Sequence, residues 1–407
     1  MNVMKKVMVR LGVVLSCILA SVSIWGVLPD GAIAYSEGQQ LLSEAWHIVD
    51  RSYVDDTFNH HNWWKIRQQA LKQPLSTSDD AYVAIEEMLA VLDDPFTRLL
   101  RPKQYQSLQT STSGELMGVG LQLVQDTDTG DLIVIAPMEG SPAQQAGIQS
   151  QDHITAIDGI STGTLDLDEA AQKMRGKIGS HVSLTVKREQ DIQSFDLVRD
   201  RIALNPVQAE LRQQDDGYTF GYIRLGQFNG NATTQMQETL QDFEHQGAEG
   251  YILDLRNNPG GLLQAGIDIS RLWLDDGTIV YTANRNGIQD RFDASNTSLT
   301  HDNLVVLVNG GTASASEILS GALQDNHRAI LVGEKTFGKG LIQSLFNLSD
   351  GSGLAVTVAH YETPAHHDIN KLGITPDVEV TMPNLSWDKV GTSEDPQYVA
   401  ALAKLQD

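Results

Sequence analysis

Cysteine is almost absent from this 407-residue chain: Cys17 is its only one. One thiol cannot form an intramolecular disulfide or a thiolate metal site, and a chain that loses Cys17 with a leader also lacks a cysteine nucleophile. Covalent catalysis then needs another side chain. Positive charge is scarce as well, with 29 Lys and Arg against 52 Asp and Glu and a formal net charge of −23. Such a surface repels phosphates and anionic headgroups, which argues against nucleic-acid binding; its ordinary meaning is solubility. Low-complexity tracts and solenoid-period repeats are missing. His60-His61 and His366-His367 are adjacent pairs without ligand spacing, so neither a metal nor another cofactor is expected. The length exceeds one compact core, and two or three domains are expected.

Lys5, Lys6 and Arg10 precede an uncharged apolar run from Leu11 to Leu28, followed by Ala32-Ile33-Ala34. This reads as an export signal over 1–34, cleaved after Ala34 and leaving no membrane span. The run is near the minimum length for a bilayer span, so a retained anchor is the competing reading. Val14-Leu15-Ser16-Cys17 loosely resembles a lipoprotein site, but apolar residues continue past Cys17.

Beyond the leader, residues 35–106 read as a helical domain. Leu41, Leu42, Ala45, Ile48 and Val49 recur at helical spacing, as do Tyr82, Ile85, Met88, Leu89 and Leu92 before the stop Asp93-Asp94-Pro95. Trp63-Trp64 is expected to pack against these helices. From 107 to 195, short strands (120–124, 132–136, 153–157, 181–187) and two helical stretches (143–147, 167–175) form a small mixed domain. The region 196–407 alternates strand and helix around the apolar runs 251–255, 304–308 and 329–332, as buried strands do. The fold class is therefore multidomain α/β.

Asn309-Gly-Gly-Thr-Ala-Ser-Ala-Ser-Glu317 lies between a buried strand and a helix. A helix N-terminus offers unpaired N–H groups to a developing oxyanion, so Ser314 is a candidate nucleophile. Ser314-Ala-Ser-Glu317 equally fits a capping box. Lys339, flanked by Gly338 and Gly340 beyond a strand, is placed for burial, which would lower its pKa and let the neutral amine act as a base. The competing reading is a surface Gly-Lys-Gly turn. Gln343 is positioned to orient the amine.

Thr312-Ala-Ser-Ala-Ser-Glu317, Gly321-Ala-Leu-Gln-Asp325 and Phe337-Gly-Lys-Gly340 together resemble the carboxyl-terminal processing (tail-specific) serine peptidases. The resemblance runs from about 42 to 380. It implies Ser314 as nucleophile, Lys339 as general base and Gln343 as its support. Asp254-Leu-Arg-Asn-Asn-Pro-Gly-Gly261 resembles the family's glycine-rich turn, which implies an oxyanion hole from Gly260 or Gly261 together with Ala315. Pro259 stands where relatives often have glycine and has no N–H to donate. The implied catalytic fold is a crotonase-like ββα superhelix.

Gly114-Glu-Leu-Met-Gly-Val-Gly-Leu-Gln-Leu123 resembles the carboxylate-binding loop and following strand of a PDZ domain. N–H groups around Gly118, Val119 and Gly120 can cradle a terminal carboxylate, and the next strand can pair with an extended tail. Arg175 is a candidate tail contact. Gln151-Asp152 stands where relatives usually have Gly-Asp.

Ala90-Val-Leu-Asp-Asp-Pro-Phe-Thr-Arg98 and Leu348-Ser-Asp-Gly-Ser-Gly-Leu-Ala-Val-Thr-Val358 are similar to the photosynthetic branch of that family. This implies a specific partner, the C-terminal tail of a photosystem II reaction-centre precursor, and export to the thylakoid lumen or periplasm, soluble or peripheral to the membrane. A general periplasmic tail-specific protease is the alternative. A Ser-His-Asp hydrolase using His327, His360 or His366 lacks the G-x-S-x-G elbow. A tail-binding scaffold without catalysis is countered by the presence of Ser314, Lys339 and Gln343.

Overall fold

A computed structural model describes residues 35–126, 130–138, 140–383, 385–386 and 389–406. The leader expected over 1–34 lies outside them. Among the described residues, no helix is long and apolar enough to cross a membrane.

Capping chemistry sets the N-terminal helices. Ser36 caps the helix Glu37–Ser52, Asn62 caps Trp63–Ala70 and Thr77 caps Ser78–Ala90, each side chain accepting a first-turn N–H. Their apolar faces meet in one core containing Leu42, Val49, Ile85 and Met88. Trp63 is in it, stacked 5.2 Å from Phe58, whereas Trp64 is exposed and edges against Trp46. The region expected to be helical is interrupted by a short strand, Arg98–Leu100, and the helix Pro102–Ser113 runs across position 106. That strand pairs antiparallel with Gly353–Glu362, Arg98 opposite Ala355, so the helical region is sewn to a sheet from the other end of the chain. Leu348, Leu354 and Val356 complete the helical core.

The small mixed region is a sheet in the order Leu121–Gln125, Leu132–Pro137, His153–Ile157, His181–Arg188, Asp191–Val198. Helices Pro142–Gln145 and Leu167–Met174 accompany it. Leu121–Gln125 is an edge strand, which leaves one row of backbone groups open to an added strand. Gln151 adopts φ 71°, the left-handed conformation that glycine favours, and beside it the buried Asp152 binds Arg188 at 2.7 Å. A two-stranded ribbon, Glu115–Gly118 with Asp200–Ala203, joins this module to the rest.

The C-terminal region is built on a six-stranded sheet: Val207–Gln213, Thr219–Leu225, Gly250–Asp254, Asn303–Val308, Ile330–Gly333, Val378–Glu379. The first pair is antiparallel and the rest are parallel. Central strands are apolar throughout because both faces are covered. Leu304, Val306 and Val308 point into the main core, whereas Val305 and Leu307 point to a second core capped by the helix Pro396–Leu405. The helices Leu263–Arg271 and Ala315–Asp325 pack in the main core at the exits of two parallel strands.

Candidate active site

Four loops converge on one cleft of about 450 Å³ lined by Ser314, Lys339, Gln343, Gly260, Gly261 and Phe96, among others. The structure therefore brings the candidate nucleophile, base and oxyanion glycines together. Ser314 precedes its helix with φ 57°, a strained conformation for a residue with a Cβ. The capping question resolves by geometry. The Glu317 N–H donates to the Ser314 carbonyl at 2.8 Å, and Glu317 Oε2 accepts the Ser314 N–H at 2.9 Å. The Ser314 hydroxyl makes no capping hydrogen bond and faces the cleft.

Glu317 does more than cap. It is fully buried, and its carboxylate accepts from the N–H groups of Ser314 and Lys339, both at 2.9 Å, from the Gly338 N–H at 2.7 Å and from the Thr336 hydroxyl at 2.6 Å. A buried charge is tolerable when so satisfied. It locks the serine turn to the lysine loop. The buried Tyr361 hydroxyl bridges the same two segments, facing the carbonyls of Ser314 and Lys339.

Burial pushes the Lys339 amine below its usual range. The Arg98 charge pushes it the same way, and Glu317 and Asp94 pull it up more weakly. Lys339 Nζ lies 5.0 Å over the Phe96 ring. It makes no direct hydrogen bond to Ser314 Oγ here, a looseness common in unliganded sites. Gln343 follows a β-bulge between Ile342 and Gln343, and its amide makes a long 3.5 Å bond to Thr357 Oγ1. Thr357 Oγ1 in turn donates to Asp94 Oδ2 at 2.7 Å. Gln343 thus lines the cleft beside Lys339, its amide turned to Thr357 and not to the amine.

The glycine turn is tethered to the serine turn by Asn258, whose carbonyl accepts the Ala313 N–H and the Ser316 hydroxyl, both at 3.0 Å. Asn258 Oδ1 also takes the Gly260 N–H at 2.9 Å. The N–H groups of Gly261 and Ala315 have no acceptor among the described residues. A side chain at Gly261 would collide with the Phe228 backbone at 2.1 Å, so only glycine fits. Beneath this turn, the fully buried Asp254 takes two bonds from the Arg256 guanidinium, at 2.6 and 2.9 Å, and one from the Arg256 N–H at 3.0 Å, and Arg256 reaches Asp395 at 2.8 Å. Desolvation raises the Asp254 pKa, but the hydrogen bonds and charge of Arg256 overcome it and hold the carboxyl low.

The tail-binding candidates lie apart from this cleft. Gly118 ends the ribbon strand; Val119 is buried, its carbonyl accepting the Ala143 N–H. Gly120 has φ 75°, and its carbonyl accepts from the Met138 N–H at 2.9 Å and Ser141 Oγ at 3.2 Å. With these carbonyls tied inward, the Val119 and Gly120 N–H groups have no acceptor among the described residues. Arg175 follows the helix Leu167–Met174 and lines a cleft with Arg98.

His327, His360 and His366 do not line the Ser314 cleft; His366 stacks on Tyr281 at 4.3 Å. Among the described residues, no group of three or more His, Cys, Asp or Glu could hold a metal. Phe96, Asn258 and Tyr361 escaped the sequence reading, and Glu317 was seen there only as a cap. The capping pattern Ser314-x-x-Glu317 was the one available signal for its wider role.

Known proteins match this architecture. Residues 219–380 match the model of peptidase family S41, and residues 133–188 match a PDZ domain. The chain is 58% identical over 389 residues to a carboxyl-terminal-processing protease of Picosynechococcus sp., covering 95% of this chain and 94% of that one. It is 45% identical to the chloroplastic carboxyl-terminal-processing peptidase 2 of Arabidopsis thaliana, covering 84% and 68%. A solved structure titled photosystem II D1 C-terminal processing protease superposes with TM-score 0.56 at 41% identity, covering 85% of this chain and 94% of that one. The chain belongs to peptidase family S41, among its carboxyl-terminal-processing serine peptidases.

Proposed function

We propose that Ser314 and Lys339 form the catalytic dyad with which this peptidase removes a C-terminal segment from a protein substrate. The observation that carries this reading is the cleft itself: an uncapped hydroxyl on a strained turn, a desolvated amine and unengaged N–H groups share it. Rotation of the lysine side chain brings Nζ to Ser314 Oγ. The neutral amine takes the hydroxyl proton as Oγ attacks the scissile carbonyl. The oxyanion is held by the N–H groups of Ala315 and Gly261; Gly260 would serve only by releasing Asn258. The lysine ammonium then protonates the leaving amine. The acyl-enzyme remains on Ser314, and Lys339 deprotonates the water that hydrolyses it. Gln343 orients the amine. The Gly118–Gly120 loop receives the substrate's terminal carboxylate, the tail adds a strand beside Leu121–Gln125, and Arg175 contacts it.

We infer that the substrate is a photosystem II reaction-centre precursor, met after export to the thylakoid lumen or periplasm once 1–34 is removed. Support comes from the cyanobacterial and chloroplastic relatives and from the name of the D1-processing structure. A broader periplasmic tail-specific activity is the second reading, favoured by a 36% identical carboxy-terminal processing protease of Bacillus subtilis. The test incubates residues 35–407 with the precursor and with unrelated tailed proteins and reads the cuts by mass spectrometry. Selective cutting of the precursor supports the first reading; equal cutting of all supports the second; no cutting by wild type, or cutting by Ser314→Ala, removes both.

A further inference from the structure

A second cleft, of about 720 Å³, lies between the helix Pro102–Ser113 and the end of the helix Leu167–Met174. Three cations line it, Arg98, Lys103 and Arg175, and no Asp or Glu does. In a chain with 52 acidic and 29 basic residues, that concentration of one sign runs against the surrounding surface. Among the described residues, none of the three has an ion pair or a side-chain hydrogen bond. Their neighbour Arg101 is different, engaged by Asp79 at 3.1 Å and Glu86 at 3.6 Å. Like charges left together without counterions raise the local potential and favour an incoming anion.

The cleft opens onto the chemistry. Arg98 and Leu108 line both it and the Ser314 cleft, so one continuous surface leads from Arg175 to the nucleophile. Pairing of Arg98 with Ala355 fixes the start of that path. A peptide cut at Ser314 and held by its carboxylate at the Gly118–Gly120 loop would run its departing segment along this path. The occupant is therefore a peptide and not a free anion, and carboxylate side chains suit these cations; a guanidinium can take one through two parallel bonds.

We propose that Arg98 and Lys103 form an acid-reading subsite, which binds Asp or Glu side chains between the scissile bond and the substrate's C-terminus. This rests on Ser314 being the nucleophile and deepens that reading into a substrate class: tails carrying acidic residues in the departing segment. The subsite is partly solvated, so its effect is moderate and sensitive to salt.

The test uses matched tailed peptides, identical at the scissile bond and the free C-terminus, with Glu, Gln or Lys placed at each intervening position in turn. At one or two positions, wild type should cleave the Glu peptide with kcat/KM roughly fivefold above Gln, and Lys below Gln. Lys103→Glu should reverse the order of the Glu and Lys peptides, and Arg98→Gln should flatten it. Each readout is a ratio between peptides on one enzyme, so a general loss of activity cancels. Equal kcat/KM for the three peptides at every position at low salt would overturn the proposal. A Glu preference unchanged in both variants would do the same. In either case the Gln peptide would still be cut by wild type and spared by Ser314→Ala, so the nucleophile assignment is tested separately.

Discussion

The turn carrying Ser314 and the loop Gly118–Gly120 both present unengaged backbone N–H groups, yet they are held in different ways. The serine turn is clamped from every side: Glu317 takes four hydrogen bonds, Asn258 ties it to the glycine turn and Tyr361 ties it to the lysine loop. Its sheet is covered on both faces. The tail loop is held through two of its carbonyls, beside an edge strand, in a module joined by a two-stranded ribbon. Acyl transfer demands fixed reacting atoms, whereas tail capture needs an open edge that a strand can join. The proposed chemistry would then sit on the clamped part and the proposed recognition on the accessible one.

The largest effects should come from the chemistry itself. Ser314→Ala, Lys339→Ala and Lys339→Arg should each lower single-turnover peptide cleavage by several orders of magnitude, arginine because it cannot lose its proton. Alanine at His327, His360 or His366 should keep most activity. Because the Ser314 hydroxyl caps nothing, Ser314→Ala should change urea-unfolding stability by less than about 0.5 kcal/mol, well under the ~1 kcal/mol of a lost cap. Activity below the depressed lysine pKa should rise with pH, since only the neutral amine is a base. The linkage has the same sign. The unfolded lysine binds its proton more tightly, so folded-state stability rises with pH between the lowered pKa and the ordinary value of 10.5. Lys339→Met should therefore be inactive yet at least as stable as wild type at neutral pH, read by thermal unfolding.

Next is the clamp. Glu317→Gln puts an amide NH₂ against N–H and hydroxyl donors in a fully buried site. It should cost roughly 2–4 kcal/mol of stability and at least about 100-fold in kcat. The tail loop should respond more mildly. Amidating the substrate C-terminus should lower kcat/KM by about tenfold. Gly118→Val should lower it too, but its Cβ would stand 3.3 Å from the buried Met174 carbonyl, so stability falls with it and the amidated peptide is the cleaner probe. Gly120→Val is a different experiment: its Cβ would fall 2.3 Å from that of Ser141 at a φ of 75°, so it should destabilise the loop itself. Equal cleavage of acid and amide peptides would reduce the loop to a structural feature. The smallest effect is at Gln151→Gly, which relieves a left-handed residue and should add about 1 kcal/mol without changing kcat.

The sequence was most legible where function rests on short contiguous patterns. Ser314, Lys339 and the glycine turn are each flanked by residues whose chemistry announces a turn beside a buried strand. The apolar runs at 251–255 and 304–308 showed as strands because both faces are buried. Phe96, Tyr361 and the strand Arg98–Leu100 were not legible, because their roles exist only after distant segments pair. Arg98 meets Ala355 across the chain, and Tyr361 reaches two carbonyls through a sheet whose hairpin, Leu341–Asn347 with Gly353–Glu362, left no strong alternation. Glu317 looked like a cap because the local pattern is one; its links to Thr336, Gly338 and Lys339 are tertiary. Gln151 was visible as a departure from Gly-Asp, and the backbone keeps the left-handed turn regardless.

The most direct test of the dyad is to trap the acyl-enzyme. Wild type mixed with a tailed peptide and quenched in acid within milliseconds should gain the mass of the N-terminal product less one water, as an ester on the serine requires. The ester should map to Ser314, and its rate of formation should rise with pH below the depressed lysine pKa. Lys339→Ala should form none on that timescale. An adduct on any other residue, an unchanged rate in Lys339→Ala or a rate flat from mildly acidic to alkaline pH would contradict the assignment of Ser314 as nucleophile and Lys339 as its base.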